Sequence, residues 1–123
     1  MKLQYIFLML TLLFNSPKVN SQTCDDVMNY VKSKGYGTTY TSYNSTAISK
    51  VTFYTISEGY NSYYYAIVCF KRNYYGCSEY IYQVDFNTKL YYSMNYLTSA
   101  GKAFWEYIQP YNKRLNCGAN LDN

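Results

Sequence analysis

Few side chains in this sequence have the types and spacing that catalysis needs. Ser99 and Lys102 match the pattern S-x-x-K, in which a lysine helps to activate a serine nucleophile. The companion motifs S-D-N and K-T-G are missing, and a helix-capping role already explains Ser99. There is no histidine to act as a base near neutral pH, and Glu79 and Asp85 would lie about 20 Å apart along a strand. We therefore expect that this protein is not an enzyme.

Four cysteines form the second chemical feature of the chain. In a small exported protein such cysteines form disulfides, and four of them allow three pairings. We predict the pair Cys24–Cys117, because these residues bracket the folded chain, and the pair Cys69–Cys77, because they lie on neighbouring strand candidates. A zinc site would need short paired spacings and normally histidine, so we expect no metal and no cofactor.

Tyrosine is unusually abundant, with 19 residues in a chain of 123. In the stretch EYIYQVDF, Tyr80 and Tyr82 are two positions apart and project from one face of a strand. Together with Tyr64 and Tyr65 they could form a platform on which bases or sugar rings stack. The alternative is that Tyr80 and Tyr82 fill the core beneath the helices, with their hydroxyl groups at its rim. The strand register decides between the two.

Lys71, Arg72 and Lys102 are the candidate contacts for a phosphate group or an acidic glycan. Lys113 and Arg114 form a further basic pair. The alternative is that these cations are ordinary solvated surface charges.

The chain begins with an apolar run, MKLQYIFLMLTLLF, that is shorter than the roughly 20 residues of a membrane-spanning helix. Pro17 and a small-x-small pattern that ends at Ser21 follow it. We predict that residues 1–21 are a removed secretory signal and that the mature protein, starting at Gln22, is secreted or periplasmic and not attached to a membrane. Removal takes away two lysines, so nine basic residues remain against seven acidic ones and the formal charge falls from +4 to +2. Such a weak charge argues against a dedicated nucleic-acid binder.

The elements that must position these residues start with a helix in the segment 22–44. Thr23 is a suitable cap, Val27 and Val31 share one face, and Gly35 is a suitable end. The rest of this segment is rich in glycine and hydroxyl residues and is typical of a loop.

Three strand candidates follow at 47–57, 63–72 and 77–84, and all are rich in β-branched and aromatic residues. Their short connections predict an antiparallel meander.

The predicted disulfide suggests a register for the last two strands. If Cys69 and Cys77 are directly opposite, Ala66 lies opposite Tyr80, and both Tyr80 and Tyr82 lie on the more apolar face. A bulge in the turn before Cys77 would place both rings on the opposite face.

Two helices are predicted after the strands. The first has Asn87 as cap and three apolar residues at helical spacing: Leu90, Met94 and Leu97. The second has Ser99 as cap, a face formed by Phe104, Tyr107 and Ile108, and Pro110 at its end. We therefore predict an α+β fold with an N-terminal helix, a three-stranded antiparallel meander, and two C-terminal helices packed on one sheet face. The other face is expected to be free, and 111–123 is expected to be a tail that Cys117 ties down.

The motifs of residues 45–110 occur in a distinctive order: Ser45 and Ile48 on the first strand, then Tyr80-Ile81-Tyr82, then Ser99, Gly101, Lys102 and Phe104. This order resembles the KTSC domain, a short module found at the C-terminus of some lysyl-tRNA synthetases and alone in many bacterial proteins. The resemblance covers residues 45–110 and implies the RNA-binding role that has been suggested for the family.

The signal segment, the N-terminal helix and the four cysteines lie outside the family pattern and fit export, which would separate the protein from RNA. We expect a small exported, non-catalytic KTSC-like binding module that contacts its ligand through the tyrosine-rich strands and the Lys71–Arg72 hairpin. The alternatives are a structural or inhibitory partner of another exported protein, and RNA binding as suggested for the family. The expected partner is another exported protein or a glycan, with nucleic acid less well supported.

Overall fold

The fold is given by a computed structural model that describes residues 19–121. The predicted signal segment lies outside this range except for its last three residues, so the signal and its cleavage before Gln22 stay predictions. The described elements are α1 (Val19–Lys34), β1 (Thr38–Thr41), β2 (Ile48–Glu58), β3 (Asn61–Lys71), β4 (Cys77–Val84), α2 (Thr88–Asn95), α3 (Ala100–Tyr107), a 3₁₀ turn (Gln109–Tyr111) and α4 (Asn112–Leu115). None of the described helices is both long and apolar enough to cross a membrane.

The sheet is antiparallel, with strands in the order β1-β2-β3-β4. The predicted α+β class is confirmed, but the sheet has four strands where three were predicted. The extra strand, β1, falls in the stretch predicted as a loop. Its residues pair with β2, with Thr38 opposite Phe53 and Thr41 opposite Lys50. Threonine and tyrosine favour strands. This strand could not be recognised in the sequence because it has only four residues and follows glycines.

The register between β3 and β4 differs by two residues from the predicted one. Cys69 lies opposite Glu79, so Cys69 and Cys77 are not direct partners. A shift of two positions preserves the faces, because side chains alternate along a strand with a period of two. Tyr80 and Tyr82 therefore do lie on the more apolar face of the sheet.

Helices α2 and α3 pack on one face of the sheet, as predicted, and we call it the helix-pair face. α3 begins at the predicted cap: Ser99 Oγ accepts a hydrogen bond from the Lys102 N–H at 3.1 Å. The Phe104 ring packs edge-on against Tyr82 and Phe70, with ring centroids 5.5 and 5.2 Å away. The core on this face is formed by Ile48, Val51, Phe53, Ala66, Val68, Tyr82, Val84, Tyr92, Ala100, Ala103, Phe104 and Ile108.

The prediction of which face of the helix at 87–98 is buried is wrong. The three residues expected to be buried are instead exposed: Leu90, Met94 and Leu97. The buried residues of α2 are Thr88 and Tyr92. The Tyr92 ring lies 5.6 Å from Phe53 and stacks on Tyr96 at 5.5 Å. Because a tyrosine ring buries a large apolar area, the aromatic side of α2 faces the sheet.

Helix α1 packs on the opposite face of the sheet, so the prediction that this face is free is wrong. Val31 is fully buried there, and Lys32 forms an ion pair with Glu79 across the face. The sheet residues that pack with Val31 are Ile56, Ile67 and Ile81.

The start of α1 also differs from the prediction. The helix begins at Val19, so Thr23 lies inside it and not at its cap, and residues 19–21 of the predicted signal segment belong to it. Its end agrees with the prediction: α1 stops at Lys34, and the Gly35 N–H donates to the Val31 carbonyl at 3.2 Å.

Both predicted disulfides are confirmed. The Cα–Cα distances are 5.6 Å for Cys24–Cys117 and 5.3 Å for Cys69–Cys77, within the usual range for disulfides. Cys24–Cys117 joins α1 to the segment that follows α4, so the predicted tail is tied to the fold at Cys117.

Candidate functional site

Three connections meet at one end of the sheet, and we call this region the loop end. They are the β1–β2 connection (42–47), the β3–β4 turn (72–76) and the α2–α3 connection (96–99). Lys71 joins the first two: its backbone N–H donates to the Ala47 carbonyl at 2.7 Å, and its ammonium group donates to the Ser45 carbonyl. The third connection faces the first across a cavity.

The cavity of the loop end has a volume of about 320 Å³, at the small end of the range for small-molecule sites. It is lined by 41–47 on one side and 96–101 on the other. Most of these residues carry hydroxyl or amide groups, and none of the described lining residues is charged. The lining of the cavity is therefore rich in groups that can form hydrogen bonds.

Ser45 and Ser99 are oriented by local backbone hydrogen bonds. Ser45 Oγ accepts from the N–H groups of Ala47 at 3.3 Å and Ile48 at 3.0 Å. Ser99 Oγ accepts from the Lys102 N–H, which gives it the capping role that competed with the S-x-x-K interpretation. Each of these hydroxyl groups also carries an O–H donor that these contacts do not use.

Ser42 and Tyr92 place two buried hydroxyl groups beside the cavity. Ser42 lines the cavity and is 8% exposed. Neither its Oγ nor the Tyr92 hydroxyl has a hydrogen-bond partner in the described part of the chain. Burial raises the pKa of Tyr92 to about 12, and the nearby Ser42 hydroxyl opposes this rise, although no hydrogen bond of normal geometry joins the two groups. Buried hydroxyls normally have a partner, and the neighbouring Tyr92 hydroxyl is the group that can serve Ser42.

The N-terminus of α3 borders the same cavity through Ala100 and Gly101. The N–H groups of these first two helical residues have no acceptor within the helix, and the helix dipole adds partial positive charge at this end. A methyl group built on Gly101 meets no other atom within 4 Å, so the space beside it is open.

Exposed tyrosines surround the loop end. Tyr43, Tyr74 and Tyr75 are 86%, 97% and 87% exposed, respectively. Tyr36 and Tyr60 are also fully exposed, but they lie at the opposite end of the sheet, before β1 and in the β2–β3 turn. Tyr, Ser, Asn and Gly, which make up most of 42–46 and 72–76, are the residues enriched in the binding loops of antibodies.

The stacking platform predicted from the sequence is not formed, because its four tyrosines do not share one exposed face. Tyr82 is 1% exposed, its hydroxyl accepts from the Ala119 N–H at 3.1 Å, and burial raises its pKa to about 12. Tyr65 lies on the α1 side of the sheet, whereas Tyr64 and Tyr80 are partly buried on the helix-pair face. Tyr82 therefore has the core role that was the alternative to the platform.

The three cationic candidates do lie at the loop end. Lys71 and Arg72 lead into the β3–β4 turn, and Lys102 is in the first turn of α3. Arg114 instead forms an ion pair with Asp85 at 2.8 Å, beyond the opposite end of β4.

The residues of the KTSC-like motif divide into two groups, apart from Lys102, which lines a separate pocket. Those that line the cavity are Ser45, Ser99 and Gly101. Those that belong to the core or pack against it are Ile48, Tyr80, Tyr82 and Phe104. Sequence reasoning missed four residues of the loop end: Ser42, Tyr43, Tyr74 and Tyr75. The signal that could have found them is loop composition, because periodicity does not detect loops.

Together the fold and the site define a small, disulfide-linked α+β domain with a tyrosine-rich loop end. In the described part of the chain no three His, Cys, Asp or Glu side chains converge as a metal site. Comparison of the chain with family models, with curated proteins and with solved structures found no match. The similarity to the KTSC domain therefore stays a prediction.

Proposed function

We propose that this protein is a small exported, non-catalytic binding module that contacts its ligand with the loop end. The observation that carries the proposal is the meeting of three connections at one end of the sheet, two of which line a cavity, with Tyr43, Tyr74 and Tyr75 exposed on these connections. Rings exposed to this extent add little to the core, whereas tyrosine supplies a large contact area at low conformational cost. The proposed ligand surface thus lies on the connections and not on the strands.

The groups gathered at the loop end suit recognition better than bond breaking. They are hydroxyl donors, ring faces and the cations Lys71, Arg72 and Lys102, and no described carboxylate lines the cavity. The Cys69–Cys77 disulfide flanks the turn 72–76 and braces it. A loop that is held in place before binding loses less conformational entropy on binding.

Export is part of this proposal. Its support is the apolar start of the chain and the two disulfides, which persist mainly in oxidising compartments. Detection of the processed protein outside the cytoplasm, with an N-terminus at Gln22, would support it, and an unprocessed cytoplasmic protein would contradict it.

Fluorescence anisotropy tests the binding function directly. Labelled hyaluronan, single-stranded RNA and single-stranded DNA are titrated with the oxidised protein at low and high salt. We expect saturable, salt-sensitive binding of hyaluronan that weakens about tenfold or more when Tyr43, Tyr74 and Tyr75 are changed together to Ser. The matched control changes Tyr36 and Tyr60 to Ser at the opposite end of the sheet and should bind like the wild type.

Two outcomes would overturn the proposed site: no saturable binding to any probe, or an equal loss in the loop-end and control variants. Tighter binding of RNA than of hyaluronan would instead favour the role suggested for the KTSC family.

A second candidate function is a structural or inhibitory role toward another exported protein. The observation that favours it is the set of apolar residues exposed on the outer side of α2 and just after it: Leu90, Met94 and Leu97. Crosslinking of the protein in its native surroundings, followed by mass spectrometry, separates the two candidates. A protein seated on α2 would crosslink through Lys89, whereas a partner at the loop end would crosslink through Lys71 or Lys102.

A further inference from the structure

We infer that a groove between α3 and the C-terminal segment 116–121 binds a neutral oligosaccharide. This site goes beyond the proposed function, because the groove shares no described lining residue with the cavity of the loop end. Three observations carry the inference: an exposed tryptophan among amide residues, the firm attachment of the groove wall to the fold, and the charges of the lining.

The groove combines one exposed aromatic ring with several amide residues. Trp105, on α3, is 54% exposed and lines a cavity of about 540 Å³, within the range of small-molecule sites. Half of the described lining residues are amides: Gln109, Asn112, Asn116 and Asn120. An amide group both donates and accepts hydrogen bonds, as a sugar hydroxyl does, and an indole ring offers an apolar face to the C–H groups of a sugar ring. The composition of the groove therefore suits a sugar.

The asparagines at the two ends of α4 are the amides that can contact a ligand. Asn112 Oδ1 accepts a hydrogen bond from the Gly118 N–H at 2.8 Å, and the same side chain carries two N–H donors that this contact does not use. Asn116 is exposed and lines the same cavity. Gln109 Oε1, in contrast, is buried. We therefore assign the ligand contacts to Trp105, Asn112 and Asn116.

The wall of the groove formed by 116–121 is held firmly on the rest of the fold. The Cys24–Cys117 disulfide ties it to α1, and the Ala119 N–H donates to the Tyr82 hydroxyl at 3.1 Å. A methyl group on Gly118 would lie 2.6 Å from the Tyr82 ring, so the backbone of the wall packs directly on the core. A site that is ordered before binding loses less conformational entropy when the ligand binds.

A second cavity, of about 420 Å³, continues the groove toward β4, because Asn116 and Gly118 line both cavities. The groove is therefore long enough for more than one sugar unit.

The charges along the groove favour a neutral ligand. None of the described residues that line the cavity beside Trp105 is charged. The second cavity is lined by two acidic residues: Glu79 pairs with Lys32, whereas Asp25 has no ion pair in the described part of the chain. A carboxylate repels a polyanion but accepts hydrogen bonds from sugar hydroxyls. A neutral chain therefore fits better than an acidic glycan or a nucleic acid, whose phosphates bind mainly to cations.

Trp105 makes the test direct, because it is the only tryptophan in the chain. Its fluorescence and its indole N–H signal in ¹⁵N NMR both report on the groove. The neutral probes are cellohexaose, chitohexaose and maltohexaose, with glucose as a single unit and a hyaluronan hexasaccharide as the acidic counterpart. We expect at least one neutral hexasaccharide to shift the indole signal in a saturable way and to bind about tenfold or more tighter than glucose, because it contacts more of the groove. No saturable shift with any neutral hexasaccharide, or tighter binding of the hyaluronan hexasaccharide, would overturn the inference.

Variants of Trp105, compared by calorimetry, test the ring. Trp105→Ala should weaken binding of the neutral hexasaccharide about tenfold or more. Trp105→Phe keeps an aromatic face and should lose less affinity. Equal affinity of the wild type and Trp105→Ala would overturn the inference.

Asn116 provides a second variant that should fold normally. Asn116→Gly removes the amide, and glycine accepts the left-handed backbone at this position, where φ is 56°. The change should weaken binding about fivefold. Asn73→Gly is the matched control, because Asn73 also has a positive φ, of 38°, and lies in the turn 72–76. An equal loss of affinity in Asn116→Gly and Asn73→Gly would contradict the assignment of Asn116.

Two further comparisons fix the place and the class of the ligand. The variant with Tyr43, Tyr74 and Tyr75 changed to Ser should bind the neutral hexasaccharide like the wild type, and a loss there would place the sugar at the loop end and overturn the inference. Failure of the hyaluronan assay, by contrast, would remove the proposed function and leave the groove unaffected. Single-stranded DNA and a proline hexapeptide are the remaining probes, since an exposed indole also stacks bases and packs on proline. Tighter binding of either one than of the neutral hexasaccharides would overturn the assignment of a sugar.

Discussion

Cys69 and Cys77 form a disulfide although they are not opposite each other in the sheet: Glu79 is the partner of Cys69, and Lys71 is the partner of Cys77. The bridge runs diagonally, next to the turn 72–76. The assumption of direct opposition therefore gave the wrong register and the right face, because an offset of two residues leaves the alternation of side chains unchanged.

The two disulfides should contribute unequally to stability. Cys24–Cys117 closes a sequence separation of 93 residues and Cys69–Cys77 one of 8. Chain-entropy arguments then predict a loss of about 4 to 5 kcal/mol in the free energy of unfolding for Cys24→Ala/Cys117→Ala, and about 2 to 3 kcal/mol for Cys69→Ala/Cys77→Ala. Urea unfolding of both double variants measures the difference. A larger loss from the short bridge would contradict the prediction.

Stability should fall steeply at alkaline pH. An unfolded tyrosine loses its proton near pH 10, whereas Tyr82 and Tyr92 have a pKa of about 12 in the folded protein because burial disfavours the charged form. Above pH 10 the unfolded state therefore binds fewer protons than the folded state, and the free energy of unfolding decreases as pH rises. Each tyrosine accounts for at most about 2.7 kcal/mol.

Urea unfolding at neutral pH and between pH 10 and 12, with tyrosinate absorbance as a second signal, measures this effect. Tyr92→Phe should make the fall in the free energy of unfolding with pH smaller by the contribution of Tyr92. A free energy of unfolding that stays constant over this range would rule out the burial effect.

Removal of the unpartnered hydroxyl groups should not destabilise the fold. Ser42→Ala and Tyr92→Phe each delete a buried hydroxyl that makes no hydrogen bond of normal geometry in the described structure. We expect the free energy of unfolding to stay unchanged or to rise by up to about 1 kcal/mol. Thermal unfolding of the ligand-free protein is the measurement. A loss of more than about 1.5 kcal/mol in the free energy of unfolding of either variant would mean that the hydroxyl groups of Ser42 and Tyr92 are hydrogen-bonded in solution.

Phe104 and Leu97 provide a sharp contrast between a true and an apparent core position. Phe104 is buried among Phe70 and Tyr82, so Phe104→Ala should cost about 3 to 5 kcal/mol. Leu97 is 82% exposed, so Leu97→Ala should change stability by less than about 0.5 kcal/mol. Chemical unfolding of both variants checks this. Similar losses in the free energy of unfolding for the two variants would show that Leu97 is buried, as the sequence predicted.

Local features could be predicted because a few neighbouring residues determine them. Ser99 caps α3 through a hydrogen bond within one turn, and the shared face of Tyr80 and Tyr82 follows from alternation along one strand. The disulfide pairs could be chosen because four cysteines leave few combinations.

The side of α2 that is buried could not be predicted, because both sides carry apolar residues. Leu90 and Met94 lie on one side and Tyr92 on the other, and the aromatic side is buried because Phe53 on the sheet offers it a packing partner. Helical periodicity describes the helix alone and contains no information about that partner.

The sequence by itself determined the α+β class, the cap of α3 and the shared face of Tyr80 and Tyr82, since these depend on short-range spacing. It limited the disulfides to three pairings because the chain has four cysteines. Tertiary structure decided the strand β1, the register, the cover of the second sheet face by α1, and the loop end. The loop end joins 42–47, 72–76 and 96–99, which are far apart in the chain and meet only because the sheet and the helix pair bring the ends of their elements together. Such long-range packing is the sum of many weak contacts, and no local pattern in the sequence encodes it.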